Sequence, residues 1–294
     1  MLHFPLPSYY VIEPTNICNF RCPICPHSLN QLYQKPGKMS LTLLDKILCQ
    51  IYEYAKVIQL YWMGEPLLNP EIFEMISSCK KKTNAKVIIS TNGSLLTREV
   101  SKKLVDCGLD EIIVSVDACN SQDIYGKIRV GGDVSLLNQN IEKLIENKGH
   151  MSVVLQFIDM FVNRAEREKF FHRWKDFDCK TELSCLFTWS NQIPSLNLVS
   201  DHLSPVQKKN RIPCADLWNK MVIHWDGQVS ACCFDYANRL PFGDCTNTLL
   251  EDIWNSPEAK SLRLQHEQGK YLSQLCLECD AWAEPNEYVE MFHL

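Results

Sequence analysis

Short apolar, β-branched runs recur along the first part of the chain at Tyr9–Ile12, Val57–Tyr61, Lys86–Ser90, Glu111–Val116, Ser152–Phe157 and Glu182–Phe187. Each has the length and composition of a strand. Between them, apolar residues return at helical spacing. Ser40 can cap a helix that puts Leu41, Leu44, Ile47 and Leu48 on one face. Asn69 followed by Pro70 reads as a cap and a first-turn proline ahead of Ile72, Phe73 and Ile76. Thr97 can cap Val100, Leu104 and Val105, with Gly108 to end the helix. Val134, Leu137, Ile141, Leu144 and Ile145 keep the same period and stop before Gly149, and Asn163 can open a stretch to Trp174. Six strands alternating with helices predict an α/β fold with a parallel sheet and right-handed crossovers. Such a sheet carries its chemistry at the C-terminal ends of its strands.

The polar segments after those strands are accordingly where candidate chemistry is sought. Residues 16–27, after the first strand, hold Cys18, Cys22 and Cys25 in the pattern C-x3-C-x2-C. A cubane of four irons takes one ligand per iron, so three thiolates leave one iron open. An open position is what separates catalytic from structural metal sites. A zinc knuckle or a set of buried thiols is the alternative at this point. Met63-Gly64-Glu65-Pro66 follows the second strand, Ser90-Thr91-Asn92-Gly93 the third, and Ser115-Val116-Asp117 ends the fourth. Taken singly, Asn92–Gly93 is a turn and Arg129 a surface cation.

Beyond residue 188 the pattern changes. Residues 189–213 are polar and proline-containing and read as a linker between a domain at 1–188 and a cysteine-rich domain at 214–294. Asp226–Gly227 between two apolar runs predicts a hairpin. Cys214 precedes it, Cys232 and Cys233 leave it, and Cys276 and Cys279 close the set as C-x2-C. Four such thiolates suit zinc or a second iron–sulfur cluster without an open iron.

Composition narrows the function classes. A net charge of −5 offers no basic face for nucleic acid, no apolar stretch is long enough for a membrane helix, and no signal peptide is visible. Fifteen cysteines therefore predict a reducing, cytoplasmic setting and metal rather than disulfides.

The cysteine loop, Gly64-Glu65-Pro66 and the Ser90-Thr91-Asn92 segment, in this order on successive strands, resemble the radical SAM superfamily. The resemblance implies a partial (β/α)6 TIM-like barrel. It implies that Cys18, Cys22 and Cys25 hold a [4Fe-4S] cluster whose open iron is chelated by S-adenosylmethionine (SAM). Gly64, Glu65 and Pro66 correspond to the motif that holds the SAM amino group, with Met63 in place of its first glycine. Ser90, Thr91 and Asn92 correspond to the segment lining the methionine and ribose, and Ser115, Asp117 and Arg129 to ribose and carboxylate contacts.

The cysteine-rich end is similar to SPASM or twitch domains appended to such barrels. That likeness implies a second [4Fe-4S] cluster on Cys214, Cys232, Cys276 and Cys279, and a domain that covers the barrel mouth. Cys233, next to a ligand, is expected to point the other way on an extended segment. It is the candidate hydrogen-atom donor of an epimerase, with Cys245 the second candidate. The substrate expected is a sugar or aminoglycoside, or a short peptide, and the electron donor a flavodoxin or ferredoxin. The chain begins close to its first strand, which favours the small hydroxylated substrate. A dehydrogenase, a peptide maturase and a non-enzymatic cluster or zinc carrier are the rival readings. Among the remaining residues, Glu13-Pro14-Thr15 is expected to line the substrate cavity, His224 carries no signal, and no acid–base pair can be named.

Overall fold

The computed structural model describes residues 3–30, 32, 35–186, 188–190, 192–193 and 211–279. Most of the expected linker and residues 280–294 lie outside the described residues. The barrel strands are β1 (Tyr9–Ile12), β2 (Val57–Gln59), β3 (Lys86–Thr91), β4 (Glu111–Ser115), β5 (Ser152–Asp159) and β6 (Lys180–Cys185). They pair parallel in sequence order. Helices α1 (Leu41–Ile51), α2 (Ile72–Lys82), α3 (Arg98–Asp106), α4 (Gln122–Ile128), α5 (Val134–Glu146) and α6 (Arg164–Trp174) lie between or after them.

Strand alternation builds two faces. Tyr10, Ile12, Ile58, Val87, Ile89, Ile112, Val114 and Leu155 join one buried cluster with Leu44, Ile47, Ile76, Leu104, Ile141 and Phe170 from the helices. The opposite face carries Tyr9, Val11, Val57, Ile88, Ile113 and Val154, grouped in two small clusters that line the inside of the curved sheet. Burying each large aliphatic side chain of the outer layer stabilises the fold by roughly 1.5–3 kcal/mol.

Three caps fall where the sequence places them. Ser40 and Thr97 accept from Leu43 and Val100 N–H, and Gly108 takes the left-handed φ of +86° just past α3. Asn69 and Asn163 do other work. Asn69 is buried and donates to the carbonyls of Pro14 and Met39, while α2 starts after Glu71. Asn163 precedes α6 but its amide donates to Asp117 and Ile158 carbonyls. Both side chains were needed by buried backbone groups that local sequence does not reveal.

The second part of the chain joins the same sheet. After α7 (Asp216–Asn219), β7 (Lys220–Ile223) pairs parallel with β1, with Tyr9 opposite Lys220 and Ile12 opposite Ile223. The expected hairpin turns at Asp226–Gly227 into β8 (Gln228–Ser230), followed by antiparallel β9 (Pro241–Asp244). The order is β6-β5-β4-β3-β2-β1-β7-β8-β9. Helices α8 (Leu250–Trp254), α9 (Pro257–Glu267) and α10 (Gln274–Glu278) complete the described chain. No helix among the described residues is long and apolar enough to cross a membrane.

Candidate iron–sulfur and S-adenosylmethionine site

The loop that leaves β1 is pinned before it reaches its cysteines. Thr15 Oγ1 donates to the Gly37 carbonyl and accepts from Ile17 N–H. Asn16 accepts from Gly37 N–H and donates to the Lys35 carbonyl. The loop then tightens, with Cys25 N–H donating to the Cys22 carbonyl and Phe20 N–H reaching Cys18 Sγ at 3.4 Å. Burial pushes the Cys25 thiol up to about 12, with the charges of Cys22 and Cys18 adding to it. Cys18 is raised for the same first reason, burial. Three thiols that would repel as thiolates are a site a cationic cluster completes. Among the described residues no three His, Cys, Asp or Glu side chains gather as for a single metal ion. A cubane, in contrast, takes its thiolates on separate irons.

The ends of β2 and β3 are stitched to this loop. A Cβ on Gly64 would stand 2.2 Å from the Thr15 carbonyl oxygen, so only glycine permits this approach. Glu65 N–H donates to the Ile17 carbonyl at 2.9 Å. The buried Glu65 carboxylate accepts from Thr91 Oγ1 at 2.7 Å, Asn92 N–H at 2.8 Å and Leu67 N–H at 3.3 Å. Burial raises it to about 7 against those hydrogen bonds. Pro66 opens the single turn Pro66–Leu68. Asn92 donates to Asn19 Oδ1 of the cysteine loop. Ser90 and Ser115 are half-buried near the C-terminal ends of β3 and β4.

Asp117 and Arg129 meet. Arg129 donates through Nε (2.6 Å) and Nη2 (2.5 Å) to Asp117 Oδ2, and its Nη1 lies 3.9 Å from Cys22 Sγ. Gln156, inward-facing beside Ser115 in the β4–β5 register, donates to Ser184 Oγ.

In the second set of cysteines, Cys214, Cys232 and Cys276 lie within electrostatic reach of Cys279. Burial is the main cause that raises Cys214 to about 12 and Cys276 to about 11. Cys214 N–H donates to His266 Nδ1, and Arg211 donates to the Cys276 carbonyl.

A family model for the radical SAM superfamily matches residues 12–172, and one for the SPASM iron–sulfur cluster-binding domain matches residues 214–280. The chain belongs to the radical SAM superfamily. Membership implies SAM and a [4Fe-4S] cluster, and the SPASM domain implies further cluster binding. The thiol loops fit that chemistry in donor type and spacing. A probable GTP 3′,8-cyclase of Methanococcus maripaludis is 34% identical over 129 residues, 44% of this chain and 42% of that protein. The chain thus matches less than half the length of that relative. The crystal structure of BtrN in complex with AdoMet and 2-DOIA superposes with a TM-score of 0.65 at 20% identity, covering 94% of each chain. Streptococcus suis SuiB bound to precursor peptide SuiA gives 0.68 at 15% identity, over 90% of this chain and 67% of that one. These structural likenesses speak to the fold.

Within this radical SAM barrel the topology changes one expectation. β7 runs parallel to β1, so Cys214, ahead of β7, and Cys232, after β8, lie towards the strands' N-terminal ends. The first cysteine loop leaves the opposite end. The cysteines of the SPASM region therefore sit at the lower end of the sheet, while its hairpin tip, with Trp225 N–H on Glu13, reaches the upper end.

Cys232 and Cys233 do not lie on the extended segment expected: Cys233 sits in a turn closed by Asp235 N–H donating to the Cys232 carbonyl at 3.1 Å. Cys232 packs with the outer cluster that includes Cys214 and Cys276, whereas Cys233 packs with inward-facing Tyr9, Val11 and Val222, and with Trp62. Their thiols still share a hydrogen bond, which holds Cys232 well above the ordinary thiol range. The same bond, helped by the Lys220 ammonium, holds Cys233 down against burial. Cys245 is different from its expectation. It is fully buried in the outer cluster beside Gly227, on the far face of the sheet, and burial raises it to about 12. Packed in the outer core, it lies on the face away from Tyr9, Val11 and Val222, which disfavours it as donor.

Two buried residues meet at the mouth, and one of them, His224, carried no sequence signal. Glu13 continues the inward alternation of β1, its Oε2 accepts from Trp225 N–H, and His224 Nδ1 stands 3.8 Å from it. The His224 ring meets Trp62 at 4.5 Å between centroids. Glu13 is also completely buried. Burial drives Glu13 up to about 8 and His224 down to about 3, which makes both neutral near pH 7.

Proposed function

We propose that the chain is a radical SAM epimerase of a sugar- or aminoglycoside-type substrate, with Cys233 as the hydrogen-atom donor. The observation that carries the reading is the packing of Cys233 against inner-face Tyr9, Val11 and Val222, next to Cys232, which packs on the outer cluster. SAM and the first cluster, when bound, supply a 5′-deoxyadenosyl radical that removes hydrogen from an unactivated substrate carbon. Cys18, Cys22 and Cys25 would hold that cluster. Gly64, Glu65, Pro66, Ser90, Thr91, Asn92, Ser115, Asp117 and Arg129 would shape the SAM pocket around it. Cys214, Cys232, Cys276 and Cys279 would hold the auxiliary cluster. Cys233 would return a hydrogen atom to the substrate carbon radical and become a thiyl radical. One electron from the flavodoxin- or ferredoxin-type donor and a solvent proton would restore the thiol. Tyr9, Val11 and Val222 would keep bulk water from the substrate radical.

A small substrate agrees with the near-complete mutual coverage with BtrN, which was solved with 2-DOIA. Polar Gln156 and Ser184 on the inner wall could meet hydroxyl groups. Fifteen cysteines fit a reducing cytoplasm with a flavodoxin- or ferredoxin-type electron donor.

The test is product mass in heavy water, with anaerobically reconstituted enzyme, SAM, reductant and a panel of aminoglycosides, sugars and peptides. A gain of one mass unit that Cys233→Ala abolishes supports epimerisation. A loss of two units replaces it with the dehydrogenase reading, and 5′-deoxyadenosine formed only with peptides turns the substrate class.

A further inference from the structure

We propose that Arg129 is a positioning residue of the first cluster: its guanidinium, clamped by Asp117, donates to the Cys22 sulfur and raises the cluster's reduction potential. The inference rests on the proposed ligation of that cluster by Cys22.

Backbone contacts fix the arginine against the cysteine loop. Arg129 ends α4, and its N–H donates to the Tyr125 carbonyl at 2.7 Å. One residue on, the Val130 carbonyl accepts from Arg21 N–H at 2.9 Å. Gly131, at φ +103°, would place a Cβ 3.3 Å from the Asn19 carbonyl, and a Cβ on Gly132 would meet the Phe20 ring at 2.8 Å. Residues 129–132 are thus laid along residues 19–21, so the register between Arg129 and Cys22 does not depend on side-chain packing alone.

The carboxylate on the other side is equally fixed. Asp117 is fully buried in a left-handed conformation at φ +56°. Its Oδ1 accepts from Ile158 N–H at 2.7 Å and its carbonyl from Asn163 Nδ2 at 2.9 Å. Only Oδ2 remains for Arg129, and it takes both Nε and Nη2. A guanidinium is a rigid fork, so fixing Nε and Nη2 fixes the direction of Nη1. That third nitrogen points at Cys22 Sγ, 3.9 Å away.

An ion pair so buried could be held for stability alone, yet replacing such pairs is often neutral. The placement of Nη1 suggests a further use. Hydrogen bonds to cluster sulfurs and nearby charge set the potential of iron–sulfur centres. A reduced cluster carries one more negative charge, which a charge-assisted donor at Cys22 favours. Removing the arginine leaves Asp117 as a buried anion nearby and should make reduction harder. Neutralising Asp117 instead leaves the arginine's charge uncompensated and should make reduction easier. Opposite shifts from two variants of one ion pair are not what loosening of the pocket produces.

The experiment is an EPR-monitored redox titration of the reconstituted holoenzyme, following the signal that changes on SAM addition and so reports the first cluster. Arg129→Gln is expected to lower the midpoint by at least 59 mV, a tenfold change in the reduction equilibrium for one electron. Asp117→Asn, a residue that tolerates the same backbone conformation, is expected to raise it. Midpoints unchanged in both, or displaced in the same direction, overturn the proposal. Where Arg129→Gln fails to fold, Asp117→Asn decides alone, and an unchanged or lower midpoint overturns it. Cys22→Ala with a full iron complement and the SAM-responsive signal would instead overturn the ligation itself.

Discussion

The indole N–H of Trp62 donates to the carbonyl oxygen of Cys233 at 2.8 Å, joining residues 171 apart in sequence. Trp62 follows β2 near the barrel mouth, and its ring also meets His224. Cys233 belongs to the SPASM region, whose cysteines lie towards the other end of the sheet. The bond therefore sets where the candidate donor stops inside the barrel.

Trp62→Phe keeps the aromatic bulk and removes that bond, which is worth about 1 kcal/mol. The expected result is a fall of up to roughly tenfold in epimer formed per 5′-deoxyadenosine, with SAM cleavage retained. Product and 5′-deoxyadenosine measured from the same reaction check it. An unchanged ratio would mean that Cys233 is positioned by its other contacts.

Gly64→Ala places a methyl group 2.2 Å from the Thr15 carbonyl, where no flexible side chain can give way. Backbone of the cysteine loop must shift, at a cost of order 1–3 kcal/mol. SAM affinity and iron content of the first site should fall together, while the folded state persists in circular dichroism. Isothermal titration with SAM and an iron assay read the two effects.

The mouth pair gives a pH signature. Glu13 has its folded value raised from 4.5 to about 8, so between these values the folded state binds more protons than the unfolded chain. Stability from this group is full below 4.5 and is lost as pH rises to about 8. His224 is lowered from 6.5 to about 3, so the unfolded chain binds more protons there, and stability falls as pH drops from 6.5 to 3. Glu13→Gln should remove the loss on the alkaline side, stabilising the protein at pH 8 relative to pH 5 by roughly 1–3 kcal/mol against wild type. Denaturant melts at the two pH values measure it, and parallel behaviour of both proteins would contradict the assignment.

Much of this was legible because it is local. Strand period, the Ser40 and Thr97 caps, the C-x3-C-x2-C loop and the Asp226–Gly227 turn are each written in a few neighbouring residues. What was not legible depends on pairing across the chain. The Glu13–His224 contact exists only because β7 lies beside β1, and neither residue sits in a recognisable motif. The placement of the SPASM cysteines at the lower end of the sheet follows from that same pairing. Cys245 follows β9, and only the observed sheet shows that its thiol falls in the outer core. Asn69 and Asn163 looked like caps because caps and buried amide bridges use the same residue types.

Cysteine substitutions divide the iron. Cys18→Ala should abolish SAM cleavage and remove roughly half of the bound iron, since two cubanes share it equally. Cys276→Ala together with Cys279→Ala should remove the other half and leave a SAM-responsive EPR signal. Retention of all iron in either protein would refute the corresponding ligand set.

The central claim, that Cys233 gives the substrate its hydrogen, is tested most directly by following deuterium in the Cys233→Ala enzyme. With substrate deuterated at the reacting carbon, this variant should still move deuterium into 5′-deoxyadenosine but yield at least tenfold less epimer than wild type. Abstraction would then be intact and hydrogen return lost. Epimer formed by Cys233→Ala at the wild-type rate would contradict the account.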